Sequence, residues 1–203
     1  MKRGRKLPIV LNEVERERLL KQANPRYITG HRNRVIMRTM FNLGLRLSEV
    51  VKLRWKDIEF EFGVLMIRDG KGGKDRVLFI NDNDWRGEDL KKALLEWKER
   101  QAEALGGTPE FVFTSMTRGA EGKQLSDRYI QNMIGRYSRR AELEKKISPH
   151  TLRHTFATDL YRKTKDIVTV KNALGHADLS STMIYITLSG DDLREALSGK
   201  KQD

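Results

Sequence analysis

The sequence has 203 residues, a formal net charge of +12 and no cysteine. Its length predicts one large domain or two small ones, and 38% hydrophobic residues are enough for a substantial core. Without cysteine the chain has no disulfide, no zinc–thiolate site, no iron–sulfur cluster and no cysteine nucleophile. Lys and Arg outnumber Asp and Glu by 40 to 28, which favours a polyanionic partner such as nucleic acid, although a basic protein without such a partner could have the same composition.

The sequence contains no apolar run long enough to span a bilayer. Its basic start, residues 1–8, lacks the apolar stretch of a signal peptide and is interpreted as an arm, either solvated or in contact with DNA. We therefore expect a cytoplasmic protein that does not bind a membrane.

The first half of the chain predicts three helices followed by three strands. Apolar periodicity and capping residues define the helices: Glu13–Ala23 after Asn12, His31–Leu43 before Gly44, and Glu49–Leu53 after Ser48. The predicted strands are Asp57–Phe62, Val64–Ile67 and Arg76–Ile80, with a hairpin at Gly63 and a tight glycine-rich turn over 69–75.

The second half is predicted to be helical. The six helices are Glu88–Leu105, Ser126 to about Ala141, Ser148 to about Arg162, Ile167–Leu174, Ser180–Tyr185 and Asp191–Leu197. The sequence thus predicts a mainly α fold with a small antiparallel three-stranded β-sheet.

The segment from Ser148 to His154 carries the densest group of reactive side chains. His150 and Arg153 are three residues apart, so they share a helix face. Such a face suits a phosphate, because arginine is a charged, forked donor and histidine can move a proton; a solvated face with one buried histidine would give the same pattern. A zinc site at His150 and His154 is disfavoured, because Thr151 stands where a metalloprotease has glutamate.

The turn Gly70–Lys74 resembles a nucleotide phosphate loop only superficially. It lacks the final Gly-Lys-Ser/Thr, and no long helix follows it. Taken singly, this turn, Arg46, His176 and Tyr185 would pass as ordinary structural residues.

Together, however, five motifs in order and spacing resemble the tyrosine site-specific recombinases, also called the phage integrase family. The resemblance extends from about Leu7 to Leu197. The motifs are Gly44 to Glu49 (GLRLSE), Gly70-Lys71-Gly72, His150 to His154 (HTLRH), Leu174-Gly175-His176, and Tyr185 nine residues later. The resemblance implies a tyrosine recombinase catalytic-domain fold.

The resemblance also implies the roles of the site residues. Tyr185 would attack a DNA phosphate to give a 3′-phosphotyrosine and a free 5′-hydroxyl. Arg46 and Arg153 would clamp the non-bridging oxygens, on which charge gathers in the transition state. His150 would accept or share the tyrosine proton, Lys71 would protonate the departing 5′-oxygen, and His176 would hydrogen-bond the phosphate. Glu49 would orient the site residues without itself contacting the phosphate.

No cofactor and no metal is expected, because the covalent intermediate preserves the energy of the phosphodiester bond. The expected partner is double-stranded DNA, with the protein monomeric when free and oligomeric, as a tetramer, on DNA. The expected divisions are the arm 1–8, a catalytic domain 9–188, and a tail 189–203 whose short helix packs on its own domain or docks on a neighbouring protomer.

Two alternative functions stay open at this point. Type IB topoisomerases use similar chemistry to relax supercoils, and a DNA-binding module could keep the fold without the reaction.

Family members usually carry a separate DNA-clamping domain before the catalytic one, and this sequence starts almost where the catalytic domain would. It therefore resembles either the small single-domain members, such as the fimbrial phase-switch recombinases, or a catalytic domain separated from its clamp.

Overall fold

The computed structural model describes residues 7–68, 75–80, 89–176 and 182–189. The helices in this part of the chain are α1 (Glu13–Lys21), α2 (Ile28–Leu43), α3 (Leu47–Lys52), α4 (Leu90–Leu105), α5 (Asp127–Arg140), α6 (Pro149–Thr164), α7 (Ile167–Leu174) and α8 (Ile184–Ser189). A single 3-10 turn (Trp55–Asp57) precedes the strands β1 (Ile58–Glu59), β2 (Val64–Ile67) and β3 (Arg76–Phe79). The strands form one antiparallel sheet in the order β1-β2-β3, so the predicted fold class is confirmed.

Most helix ends follow the local signals in the sequence. Asn12 and Glu15 form a reciprocal capping box at the start of α1, and Ser126 caps α5 through the backbone N–H of Tyr129. Gly44 ends α2 and Gly106 ends α4, each in the left-handed conformation that glycine adopts without strain.

The start of α3 differs from its prediction. Ser48 is not the cap: α3 begins at Leu47, and Arg46 is its N-cap residue. The Glu49 carboxylate, at the third helical position, reaches back and accepts a hydrogen bond from the Arg46 backbone N–H at 2.7 Å, as the N3 residue of a capping box does.

The first predicted strand was wrong over most of its length. Strand pairing ends at Glu59, and the chain then turns over residues 60–63, which leaves the Phe62 side chain 73% exposed. Alternating apolar residues predicted a strand here, but Gly63 has a positive φ of 62° and its carbonyl accepts from the Ile80 N–H at 2.7 Å. The turn that closes the hairpin therefore begins several residues earlier than the alternation indicated.

Helix α2 lies at the centre and packs against α4 and α6. The main apolar core surrounds it and includes the fully buried Trp97, whose indole N–H donates to the Val112 carbonyl at 2.7 Å. Arg32 on α2 is buried too; it donates to the Thr114 carbonyl at 2.7 Å and hydrogen-bonds to Tyr129 on α5. These contacts join α2 to α5 and α4 to the chain that follows it.

A second apolar cluster joins α6, α7 and α8. Its buried members are Phe156, Ala157, Tyr161, Val170, Leu174 and Tyr185. Helix α8 starts at Ile184 rather than at the predicted Ser180, and residues 177–181 and the predicted helix Asp191–Leu197 lie outside the described residues. This cluster places Tyr185 beside the N-terminal half of α6.

Among the described residues, none of the helices combines the length and the apolar character needed to cross a membrane.

Candidate active site

Three arginines from three different elements meet at the C-terminal end of α7. Arg76 on β3 donates to the Ala173 carbonyl at 3.1 Å, Arg153 on α6 to the Leu174 carbonyl at 2.8 Å, and Arg46 to the Gly175 carbonyl at 2.9 Å. The last carbonyls of a helix have no partner inside the helix and carry the negative end of its dipole, so they attract cations. The end of α7 thereby holds three guanidinium groups close together.

The carboxylate of Glu49 bridges two of these arginines. It accepts from Arg76 at 2.7 and 2.8 Å and from the Arg46 guanidinium at 2.8 Å. Burial alone would raise the pKa of Glu49, but the hydrogen bonds and charge of Arg76, together with the backbone and side-chain hydrogen bonds of Arg46, lower it to about 2. Glu49 is therefore ionised at neutral pH, and three guanidinium groups against one carboxylate leave a local charge of about +2.

Arg153 is the most buried arginine of this group, with 6% of its surface exposed. It joins the ends of two helices, because it donates to the Gly44 carbonyl after α2 at 2.5 Å as well as to Leu174 at the end of α7. Burial, and then the like charge of Arg46, lowers the pKa of Arg153 to about 10, which leaves it protonated at neutral pH. Among the described residues no carboxylate is hydrogen-bonded to Arg153, so its charge suits an incoming anion.

His176 follows directly after the end of α7. Its Nδ1 lies 2.8 Å from the hydroxyl of Thr182, and its pKa is lowered to about 4 by burial and then by Arg153 and Arg46. His176 is therefore neutral at physiological pH and offers a hydrogen bond without adding charge.

Tyr185 is 1% exposed, and its hydroxyl lies 2.9 Å from Nδ1 of His154, the residue after Arg153 on α6. Burial raises the pKa of Tyr185, while the nearby charge of Arg153 acts in the opposite direction. Burial, and then the charges of His150 and Arg153, lowers the pKa of His154 to about 4. The hydroxyl is therefore protonated at neutral pH and is paired with a neutral imidazole.

His150, unlike the buried Tyr185, lies at the protein surface. It is exposed on the first turn of α6, where it lines a groove of about 510 Å³ together with Arg139, Lys145 and Lys146. The hydroxyl of Tyr185 is bonded to His154 rather than to His150, so the proton-accepting role of His150 stays a prediction.

Four of the predicted site residues thus lie close together. Arg46, Arg153 and His176 share the end of α7, and Tyr185 adjoins them through His154. Lys71 lies outside the described residues.

Two residues of the site were missed from the sequence. His154 stands in the HTLRH motif, but the resemblance assigns it no role in the reaction, and its separation of 31 residues from Tyr185 gives no sign of their pairing. Arg76 looked like an ordinary arginine at the start of a strand.

Within 7–68, 75–80, 89–176 and 182–187, the side chains include no group of three or more His, Asp or Glu able to hold a metal ion.

Comparison with known proteins shows the family and the fold of this chain. Residues 10–191 match the sequence profile of the phage integrase family. The tyrosine recombinase XerA of Pyrococcus horikoshii is 33% identical over 195 residues, which cover 96% of this chain and 62% of that protein. A crystal structure of XerA recombinase aligns over 97% of this chain and 68% of its own, with a TM-score of 0.77 and 27% identity. The XerH recombinase bound to a palindromic difH substrate in a post-cleavage complex aligns over 98% of this chain and 55% of its own, with a TM-score of 0.78 and 30% identity.

The mainly helical fold with its small antiparallel sheet is that of a tyrosine recombinase catalytic domain, which the solved XerA and XerH structures share. The chain belongs to the phage integrase family. It spans about three fifths of the length of the curated relatives it matches.

Proposed function

We propose that this chain cleaves and rejoins DNA strands through a covalent bond to Tyr185, as the catalytic part of a site-specific recombinase. The observation that carries the proposal is the pairing of the Tyr185 hydroxyl with His154, one residue along α6 from the buried Arg153. A nucleophile thereby adjoins a cationic cluster suited to a phosphodiester.

The reaction follows from this chemistry. The Tyr185 oxygen attacks the phosphorus, the bond between phosphorus and the 5′-oxygen breaks, and the departing oxygen takes up a proton. The product is a 3′-phosphotyrosine with a free 5′-hydroxyl. Arg46 and Arg153 stabilise the charge that gathers on the two non-bridging oxygens, and neutral His176 donates a further hydrogen bond to them.

Two proton transfers complete each cleavage. Tyr185 must lose its proton as it attacks, and the proposed acceptor is His150, with neutral His154 as the present partner of the hydroxyl. The proposed donor to the 5′-oxygen is Lys71. Because the phosphotyrosine bond preserves the phosphodiester's energy, religation needs no ATP.

Burial means that Tyr185 must be uncovered before it reaches a DNA strand. With 1% of its surface exposed, its hydroxyl is inaccessible to a duplex lying on the protein surface. The short helix α8 that carries it must therefore shift relative to α6 when DNA binds.

The proposed partners are double-stranded DNA and further copies of the chain. The net charge of +12 and the cationic groove beside His150 favour the DNA backbone. XerH, which aligns with 98% of this chain over 55% of its own length, has been captured on a difH substrate in a post-cleavage complex. Exchange of strands requires two duplexes to be cut, so we propose a monomer in solution that assembles on DNA as a tetramer.

Covalent capture tests the proposal on any DNA that contains the target sequence. Genomic DNA from the source organism is lightly nicked with DNase I, so that cleavage near a nick releases a short fragment and traps the intermediate. Adducts that resist SDS are then isolated and their DNA is sequenced. The expected result is a recurrent sequence joined through its 3′ end to Tyr185.

The matched variants are Tyr185→Phe and Tyr161→Phe, because both tyrosines lie in the same apolar cluster. Tyr185→Phe is expected to bind DNA without forming an adduct, and Tyr161→Phe is expected to retain adduct formation. An adduct that persists in Tyr185→Phe refutes the assignment of the nucleophile. Joining of two different duplexes at the captured sequence distinguishes a recombinase from a topoisomerase-like enzyme.

A further inference from the structure

We infer that Arg76 is a positioning residue that holds Glu49, and through it Arg46, in the geometry required for phosphate binding; this inference rests on the proposed function. Arg76 lies at the start of β3, five residues along the chain from Lys71. It belongs to none of the five motifs in the sequence.

The contacts of Arg76 occupy its guanidinium on two sides. Both terminal nitrogens donate to the two oxygens of Glu49, at 2.7 and 2.8 Å, and Nε donates to the Ala173 carbonyl at 3.1 Å. Its side chain is only 10% exposed. A planar, bidentate pair of this kind fixes the orientation of both groups, which a single point charge would not do.

Glu49 transmits this constraint to Arg46. Each carboxylate oxygen accepts one hydrogen bond from Arg76 and one from Arg46: Oε1 binds both guanidinium groups, and Oε2 binds Arg76 and the Arg46 backbone N–H. Without Arg76 the buried carboxylate would have Arg46 as its remaining described cationic partner. It would then neutralise the charge that Arg46 is meant to present to a phosphate.

The aliphatic part of Arg76 also packs against the turn that leads to His176. A Cβ placed on Gly175 would lie 3.0 Å from Cδ of Arg76, and Gly175 has a positive φ of 60°. Arg76 therefore ties β3 to α3 and to the end of α7 at one point. Because its donors are turned towards Glu49 and Ala173, it acts through other residues rather than by binding the phosphate.

The test compares Arg76→Gln, Arg76→Lys, Glu49→Gln and the double variant Arg76→Gln/Glu49→Gln. The single-turnover rate of adduct formation on the captured DNA sequence is measured together with the DNA dissociation constant. Arg76→Gln is expected to slow cleavage by about 10²-fold, because misplacing a reacting group by about 1 Å can cost that much, while leaving DNA binding nearly unchanged. Arg76→Lys is expected to recover part of the rate, because lysine keeps the charge and loses the bidentate fork.

The double variant separates positioning from simple support of the fold. If Arg76 acts through Glu49, adding Arg76→Gln to Glu49→Gln slows cleavage much less than adding it to the wild type. Equal slowing in both backgrounds overturns the inference, as does a wild-type rate for Arg76→Gln. Should Arg76→Gln fail to fold, a wild-type rate for the charge-retaining Arg76→Lys would equally overturn the requirement for a bidentate pair.

Arg68→Gln is the matched control. Arg68 follows β2 in the same sheet and forms an ion pair with Asp57 at 2.8 Å, so the substitution removes the same charge from the same hairpin. We expect it to cleave near the wild-type rate; slowing equal to that of Arg76→Gln would show that loss of charge in the hairpin is enough and would overturn the inference.

A measurement without DNA keeps the two proposals apart. Carboxyl NMR of Glu49 should give a higher pKa in Arg76→Gln than in the wild type, and an unchanged pKa would contradict the coupling. If the wild-type protein forms no adduct, the proposed function fails, and the catalytic meaning of Arg76 fails with it. If the wild type forms the adduct and Arg76→Gln forms it equally fast, the inference about Arg76 fails alone.

Discussion

Arg153 shows how a single side chain can serve both the fold and the site. It is buried and donates to the carbonyls of Gly44 and Leu174, which end two different helices. Lysine would keep the positive charge, but its compact ammonium group cannot reproduce a fork that spans both carbonyls.

We therefore predict that Arg153→Lys and Arg153→Ala each slow cleavage by about 10²-fold or more. This corresponds to a loss of transition-state stabilisation on the order of 3 kcal/mol. The measurement is the single-turnover rate of adduct formation. Arg162→Lys is the control, because this exposed arginine on the same helix pairs with Asp159 at 3.8 Å. Near-normal cleavage by Arg153→Lys would show that the fork is dispensable.

His154 predicts a dependence of stability on pH. Its pKa is about 4 in the folded protein, against about 6.5 in an unfolded chain, so below pH 6.5 the unfolded state binds the additional proton. The free energy of unfolding is thus expected to fall as the pH drops from about 6.5 to 4, and His176 contributes with the same sign.

His154→Gln should reduce this acid destabilisation. Urea unfolding at several pH values between 4 and 7.5 gives the difference in unfolding free energy between variant and wild type. That difference should shift in favour of the variant as the pH falls. Parallel curves over the whole range would contradict a neutral, buried His154.

At the scale of elements, close packing of the end of α2 against the middle of α6 places Arg153. Gly44, at the end of α2, has a φ of 60° and lies against the ring of Phe156 on α6. This contact brings the Gly44 carbonyl within reach of Arg153, so packing of two helices and placement of the arginine depend on one residue without a side chain.

Gly44→Ala is accordingly predicted to destabilise the protein by about 1–3 kcal/mol or more. Two effects combine: strain at positive φ, and a Cβ that would come within 2.2 Å of the Phe156 ring. Gly106→Ala separates them, because Gly106 has a φ of 72° but open space around it. Urea unfolding should show a clearly larger loss for Gly44→Ala, and equal losses would mean that the contact with Phe156 adds nothing.

At the scale of the whole molecule, strand exchange requires active sites from several copies. The tail 189–203 was predicted to form a short helix with Leu193, Ala196 and Leu197 as its apolar stripe, and residues 190–203 lie outside the described residues. A stripe of this size offers far less area than a stable standard interface.

We therefore predict a monomer in solution and an oligomer only on DNA that carries two sites. Light scattering of the DNA-free protein measures the first state, and a stable tetramer there would refute it. Deletion of residues 189–203 is expected to impair recombination more than DNA binding. Recombination at the full rate after this deletion would exclude a role for the tail in assembly.

The sequence by itself determined the features that depend on neighbouring residues. Capping signals and periodicity predicted α5, α6 and α7 closely, and the order and spacing of the five motifs were enough to indicate the family. These signals work because helix caps, glycine stops and amphipathic faces are set within a few residues of the chain.

Only the tertiary structure decided which side chains meet. It paired Tyr185 with His154 and joined Arg46 to the Gly175 carbonyl across 129 residues of chain. It also paired Arg76 with Glu49. Strand β1 ends at a turn after Glu59, where the apolar alternation predicted a longer strand. Partners so distant in sequence are chosen by the packing of whole helices, and no local pattern records that choice.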